Sequence, residues 1–203
     1  MISQPLLVRM DTSFSLLDQL CQPSNPQAWD RLVTLYTPLL QTWLHDQDNL
    51  PTEDVDDLVQ EVLLAVAQEL PKFEHNRQRG AFRKWLRLIL VHRLRNFWRS
   101  RQQRPSAVGG SDFLKRLERL EDDTSDLSAL WNRQHDQQIL DHLLREAQTQ
   151  FAGHVWQAFQ RQVLEKTTPA VVAAELNMSL TAVYTAKSRV LSLLRQKADG
   201  LIS

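Results

Sequence analysis

The sequence predicts an all-α protein made of two small helical domains joined by a linker, the C-terminal one a helix-turn-helix. Three observations predict it. Apolar residues recur at intervals of three and four along most of the 203 residues. Five Gly and eight Pro leave too little punctuation for an all-β chain. One segment, RPSAVGGSD at 104–112, interrupts the helical pattern with a proline, paired glycines and small residues.

The first unit is expected over 10–104. Asn25-Pro26 opens a helix over 27–46, in which Trp29, Leu32, Val33, Tyr36, Leu39, Leu40 and Trp43 keep helical spacing. Pro38 lies inside that run and is expected to kink or split it. Thr52 is the expected N-cap of a helix over 53–70, with Glu53, Asp54, Asp56 and Asp57 at its positive end and Pro71 closing it. Residues 74–80 read as a loop, and a long helix follows over 81–101. The segment 105–127 is assigned to an acidic linker, with a short charged helix, FLKRLERLE, as part of that linker. The second unit, 128–203, holds helices near 128–148, 150–165, 168–176 and 180–198.

Within 168–197 the spacing describes two helices and a tight corner. Val171, Val172 and Leu176 give the first helix a short apolar face. Asn177 tolerates the left-handed conformation that ends helices. Met178 can plug the corner and Ser179 can cap the next helix. Val183, Ala186, Val190, Leu193 and Leu194 then face inward, and Ala173 and Ala174 allow a close crossing. A helix-turn-helix needs these features, and its second helix would present Thr181, Tyr184, Thr185, Lys187, Ser188 and Arg189 to phosphates and base edges. An ordinary helical hairpin with a polar exterior needs most of them too.

Lys and Arg equal Asp and Glu, 24 each, but the charges are sorted along the chain. Residues 1–72 carry −8, 73–104 carry +9, 105–128 carry −3 and 129–203 carry +2. The segment GAFRKWLRLILVHRLRNFWRSRQQR, 80–104, has eight cations and no acid. Cations so gathered repel one another unless an anion neutralises them, and the phosphate backbone is the natural anion. Phe82 and Trp85 sit at core spacing. Trp98, among Arg95, Arg99 and Arg101, is placed to stack on an unpaired base. Before this helix, 54–73 has two stripes: Val55, Leu58, Val59, Val62, Leu63 and Val66 for burial, and Asp57, Gln60, Glu61 and Leu64 as an anionic face for a basic partner helix. Acids in a first turn also simply complement the helix dipole.

The segments DVDDLVQEVLLAV, PKFEHNRQRGAFRKWLRLILVHRLRNFWRS and AAELNMSLTAVYTAKSRVLSLLR, in that order, resemble a bacterial RNA polymerase sigma factor of the sigma-70 family, in its extracytoplasmic-function (ECF) group. The resemblance implies a region 2 that docks on core RNA polymerase through Asp57, Gln60, Glu61 and Leu64. It implies recognition and melting of the promoter −10 element by the loop at 73–80 with Arg83, Lys84, Arg87, Arg95, Trp98 and Arg99. A region 4 would bind the −35 element through the helix around 181–189. The partners implied are core polymerase, promoter DNA and an anti-sigma factor; no cofactor or metal is implied. Where many relatives have a basic residue early in the recognition helix, this chain has Ala182 and Tyr184, and Asn177 replaces the usual corner glycine.

The competing reading is a stand-alone helix-turn-helix transcriptional regulator, which leaves the acidic stripe and the basic helix without roles. Enzymatic motifs such as HExxH, CxxC, a Gly-rich phosphate loop or a nucleophile elbow do not occur, so no catalytic residue is expected. His135 and His142 could share a helix face, but no Cys or third ligand accompanies them, and surface or helix-packing histidines are expected there. Cys21 is the only cysteine, the N-terminus lacks a signal-peptide pattern and no apolar run reaches membrane-spanning length, so a cytoplasmic protein is expected.

Overall fold

The computed structural model describes residues 14–20, 25–48, 50–73, 80–102 and 110–202. Among them the chain forms nine α-helices and no strand. They are α1 (Phe14–Leu20), α2 (Pro26–Asp48), α3 (Thr52–Glu69), α4 (Ala81–Gln102), α5 (Gly110–Glu121), α6 (Asp126–Gln148), α7 (Gly153–Phe159), α8 (Pro169–Glu175) and α9 (Leu180–Ile202). A 3₁₀ turn at Leu70–Lys72 ends α3, and a π turn at Gln160–Leu164 extends α7.

The helix starts follow from local chemistry. Pro26 takes the first position of α2, where a missing N–H costs nothing. Asn25 caps the helix, its Oδ1 accepting from the Ala28 N–H at 3.1 Å. α2 then runs unbroken through Pro38, against the expected kink or split. Burial explains the tolerance: Leu35, Leu39, Leu40, Trp43 and Leu44 on both sides of the proline are fully buried, so packing outweighs one lost backbone bond. Thr52 is not the cap of α3. Pro51 is, without a side-chain cap bond, and Glu53 and Asp54 in the first turn complement the positive end of the helix dipole.

α2 packs on α3 and α6, α4 on α3 and α5, and α6 on α9, while α1 bridges α2 and α9. One apolar core runs through all of these, from Leu16 to Leu194. Trp43 of α2 and Trp131 of α6 meet edge to face, 5.7 Å between centroids, and both are buried.

Within 105–127, expected as a linker with a short charged helix, the described helix packs on the core. Residues 110–121 form α5, whose Phe113, Leu117 and Leu120 repeat at helical spacing and are all buried against the core. The composition is polar because the opposite face is solvated; the three apolar positions suffice to dock the helix. A tight corner joins α5 to α6. Asp122 Oδ1 accepts from both the N–H and the hydroxyl of Thr124 at 2.9 and 2.8 Å, and Ser125 Oγ accepts from the Ser128 N–H at 3.0 Å to cap α6. Residues 103–109 lie outside the described residues, as does 74–79 of the expected loop.

A second small cluster, Ala158, Val172, Val183 and Ala186, ties α7, α8 and α9 together. Val171, expected inside, is 46% exposed; Val172 takes the buried position. α8 ends as its sequence suggests. Asn177 has φ 51°, in the left-handed region. The Met178 N–H reaches the Ala173 carbonyl at 2.9 Å and the Asn177 N–H the Ala174 carbonyl at 3.4 Å, the paired bonds of a Schellman turn. Ser179 Oγ accepts from the Ala182 N–H at 3.1 Å and starts α9.

Candidate functional site

α3 separates its two stripes as its spacing requires. Val55, Leu58, Val59, Val62 and Val66 are buried, with Leu63 partly so. Asp57, Gln60 and Glu61 are exposed on the other side, and Leu64 among them is 59% exposed. An exposed leucine framed by carboxylates is the surface expected for a basic, partly apolar partner.

The basic face of α4 is arranged differently from expectation. Arg83 is 8% exposed and donates to Asp136 of α6 at 2.7 Å. Arg87 is 2% exposed and, with Lys84, binds Asp123 at the α5–α6 corner. Arg95 makes two bonds to Glu121 of α5, at 2.5 and 3.3 Å. Arg93 lies 3.8 Å from Glu69. Trp98 is not a free platform: its ring packs against Phe113, 4.7 Å between centroids, and edge to face on Phe97 at 5.9 Å. Arg99 is exposed, with no ion pair among the described residues. The anions that neutralise much of this helix thus come from the chain itself. Charge balance held a signal for them, since the −3 of 105–128 directly follows the +9 of 73–104. Asp136 carried no such signal, lying in an otherwise ordinary helix.

Asp136 belongs to a buried polar chain. Tyr36 Oη bonds His135 Nε2 at 3.1 Å, and His135 Nδ1 lies 3.4 Å from the Asp136 carboxylate that receives Arg83. His135 has no exposed surface. It is a packing histidine that links α2 to α6, and among the described residues no group of three metal-ligating side chains forms.

The α4–α5 pairs make the seam acid-sensitive. The bond from Arg95 holds Glu121 below its ordinary 4.5. Burial pushes Asp123 up, but the bonds from Lys84 and Arg87 outweigh it and hold the group below its ordinary 3.8. A carboxylate with a lowered folded-state pKa stabilises fully above its ordinary value and loses that contribution as pH falls through the lowered one. α5 should therefore loosen from α4 only below about pH 4. The emission difference between the wild-type chain and Trp98→Phe should report this, and a difference that stays constant down to about pH 2.5 contradicts it.

In the C-terminal unit, Thr181, Tyr184, Thr185, Ser188 and Arg189 are exposed along the first turns of α9, and Lys187 is half-buried. Arg189 lies over the Phe151 ring at 5.9 Å. Gln162, which the sequence pattern did not single out, donates to the Ala158 and Val183 carbonyls at 3.0 and 2.9 Å and so locks the π turn onto α9.

Residues 32–104, spanning most of α2, all of α3 and all of α4, match the family model Sigma-70 region 2. This stretch is similar to sigma-70 region 2. The match supports sigma factor function in promoter recognition by RNA polymerase, and the sigma-70 family that carries this region is one of non-catalytic initiation factors. Region 2 of such factors binds core polymerase and −10 promoter DNA. The exposed stripe of α3 and the cationic α4 both fall inside the region 2 stretch, whereas α5 and Asp136 lie beyond it. No curated protein matches the chain. No described helix is long and apolar enough to cross a membrane.

Proposed function

We propose that the chain is an ECF-type sigma factor that binds core RNA polymerase and directs it to specific promoters, opening the −10 element and gripping the −35 element. The observation that carries this reading is the region 2 match, because it covers the two helices bearing the anionic stripe and the cationic face. Asp57, Gln60, Glu61 and Leu64 are the docking residues. Of the six −10 candidates, exposed Arg99 contacts DNA, and Lys84, exposed but paired with Asp123, exchanges that partner for a phosphate. Buried Arg83 and Arg87, Glu121-bound Arg95 and Phe113-packed Trp98 shape α4 for that contact. α8, the Schellman turn and α9 form a helix-turn-helix for the −35 element, with Arg189, Lys187 and Ser188 toward phosphates. The factor lends sequence selection to a polymerase and needs no covalent chemistry of its own.

A stand-alone regulator predicts tight duplex binding without polymerase. The sigma reading predicts that the chain with bacterial core enzyme opens promoter DNA, seen as permanganate-reactive thymines, and that chain or core alone leaves them unreactive. It also expects Arg99→Ala to diminish that reactivity at least tenfold at unchanged thermal stability. Equal duplex retention with and without core, and no reactive thymines with it, would reject the reading.

A further inference from the structure

The front of α9 carries little of the chemistry that reads guanine or adenine. Guanine is read by bidentate Arg or Lys and adenine by Asn or Gln. From Leu180 to Arg189 no Asn or Gln occurs, and the two cations are Lys187, which is half-buried, and exposed Arg189 at the end of the stretch, over the Phe151 ring. What faces outward instead is Leu180, 47% exposed, and Tyr184, 53% exposed, one turn apart on one stripe, with Thr181 and Thr185 one turn apart on the next.

The hydroxyls nearby are largely committed. Thr185 Oγ1 donates to the Thr181 carbonyl at 2.8 Å, so its proton is not free for a base and its methyl group is what the residue adds to an apolar surface. Ser179 Oγ is used as the helix cap. The surface left for base edges is mostly an isobutyl group, a phenol ring and the Thr185 methyl, with the hydroxyls of Thr181, Tyr184 and Ser188 at its margins. Among the four bases, only thymine offers a matching apolar group in the major groove, its C5-methyl.

We propose that α9 reads thymine methyl groups, so that the upstream element of this factor is a thymine-rich block in which guanine contributes little. Leu180, Tyr184 and Thr185 are the specificity residues. This rests on the helix-turn-helix assignment made above, and the two can fail separately. Burying one methyl(ene) group on an apolar surface favours the contact by about 0.8 kcal/mol, so each thymine methyl in the block is worth about fourfold in affinity.

The test is selection of a randomised 45-base-pair duplex pool by the full chain, alone and with core polymerase, followed by replacement of thymine by deoxyuridine in the enriched upstream block. The expected result is a run of A·T pairs with thymines on one strand, weakened about fourfold for each deoxyuridine in contact. Tyr184→Ala should keep the fold, since the side chain is exposed, and should bring the thymine-to-deoxyuridine ratio close to one at the affected position. Enrichment of a guanine-bearing block, or indifference to deoxyuridine, overturns the proposal while leaving α9 a DNA-reading helix. Absence of any upstream enrichment overturns the DNA-reading assignment itself, and the proposal with it.

Discussion

Arg83→Ala is expected to lower the stability of the chain by about 3–5 kcal/mol, because it leaves the Asp136 carboxylate buried without its cation. The melting temperature should fall by roughly 10 °C or more for a chain of this size. The loss is large because of where the pair sits. The side chains of Arg83 and Asp136 are 9% and 12% exposed, and Asp136 also orients His135, which holds Tyr36. Taking the whole pair away should hurt less than breaking it: Arg83→Met combined with Asp136→Leu should recover most of the stability, since neither charge is then stranded. Arg99→Ala, at an exposed position on the same helix, should stay within about 0.5 kcal/mol of wild type. Thermal melts of the four proteins check all of this together. Equal losses for Arg83→Ala and Arg99→Ala would mean that the buried pair has no special weight and that Arg83 returns to the DNA-contact set.

Reversing the α3 stripe should have the largest effect on function. Asp57→Lys with Glu61→Lys exchanges attraction for repulsion at two positions of the proposed docking face, and like charges brought together cost several kcal/mol. Affinity for core polymerase should fall about a hundredfold or more. Both residues are exposed and the buried stripe behind them is untouched, so the circular dichroism spectrum and melting temperature should hold. Titration of labelled core enzyme with the two proteins gives the number. Undiminished binding would move the docking surface off α3.

The helices that could be read from the sequence are those whose signals are local. α3, α4 and the α8–α9 corner follow from spacing, from Asn177 and Ser179, and from acids near a helix start. The parts that could not be read depend on distant partners. Arg83 and Arg87 lie one turn apart on a cationic helix, and nothing near them in sequence says that Asp136 and Asp123 will cover them. Trp98 looked like a stacking platform because its neighbours are arginines; Phe113, beyond a glycine-rich break, occupies the ring instead. α5 was obscured by its own composition, as three apolar residues among charges resemble a tether until the core they dock on is present. The exposure of the residues of α3 and, Lys187 apart, of α9 proposed for partners was legible because it has local reasons. Those of α4 were only half legible, since the anion that neutralises a cation can be internal.

The continuous core has a consequence of scale. A compact chain of 203 residues has a radius of gyration near 17 Å, hence a diameter of about 45 Å. Duplex DNA rises about 3.4 Å per base pair, so sites centred 10 and 35 pairs upstream of a start point lie roughly 85 Å apart. With Trp43 against Trp131 and Tyr36 against His135, the molecule is about half as long as the distance it would have to straddle. Under the proposed function, gripping both sites at once requires the packing of α6 on α2 to open, which exposes the surfaces that Trp43 and Trp131 now hide in each other.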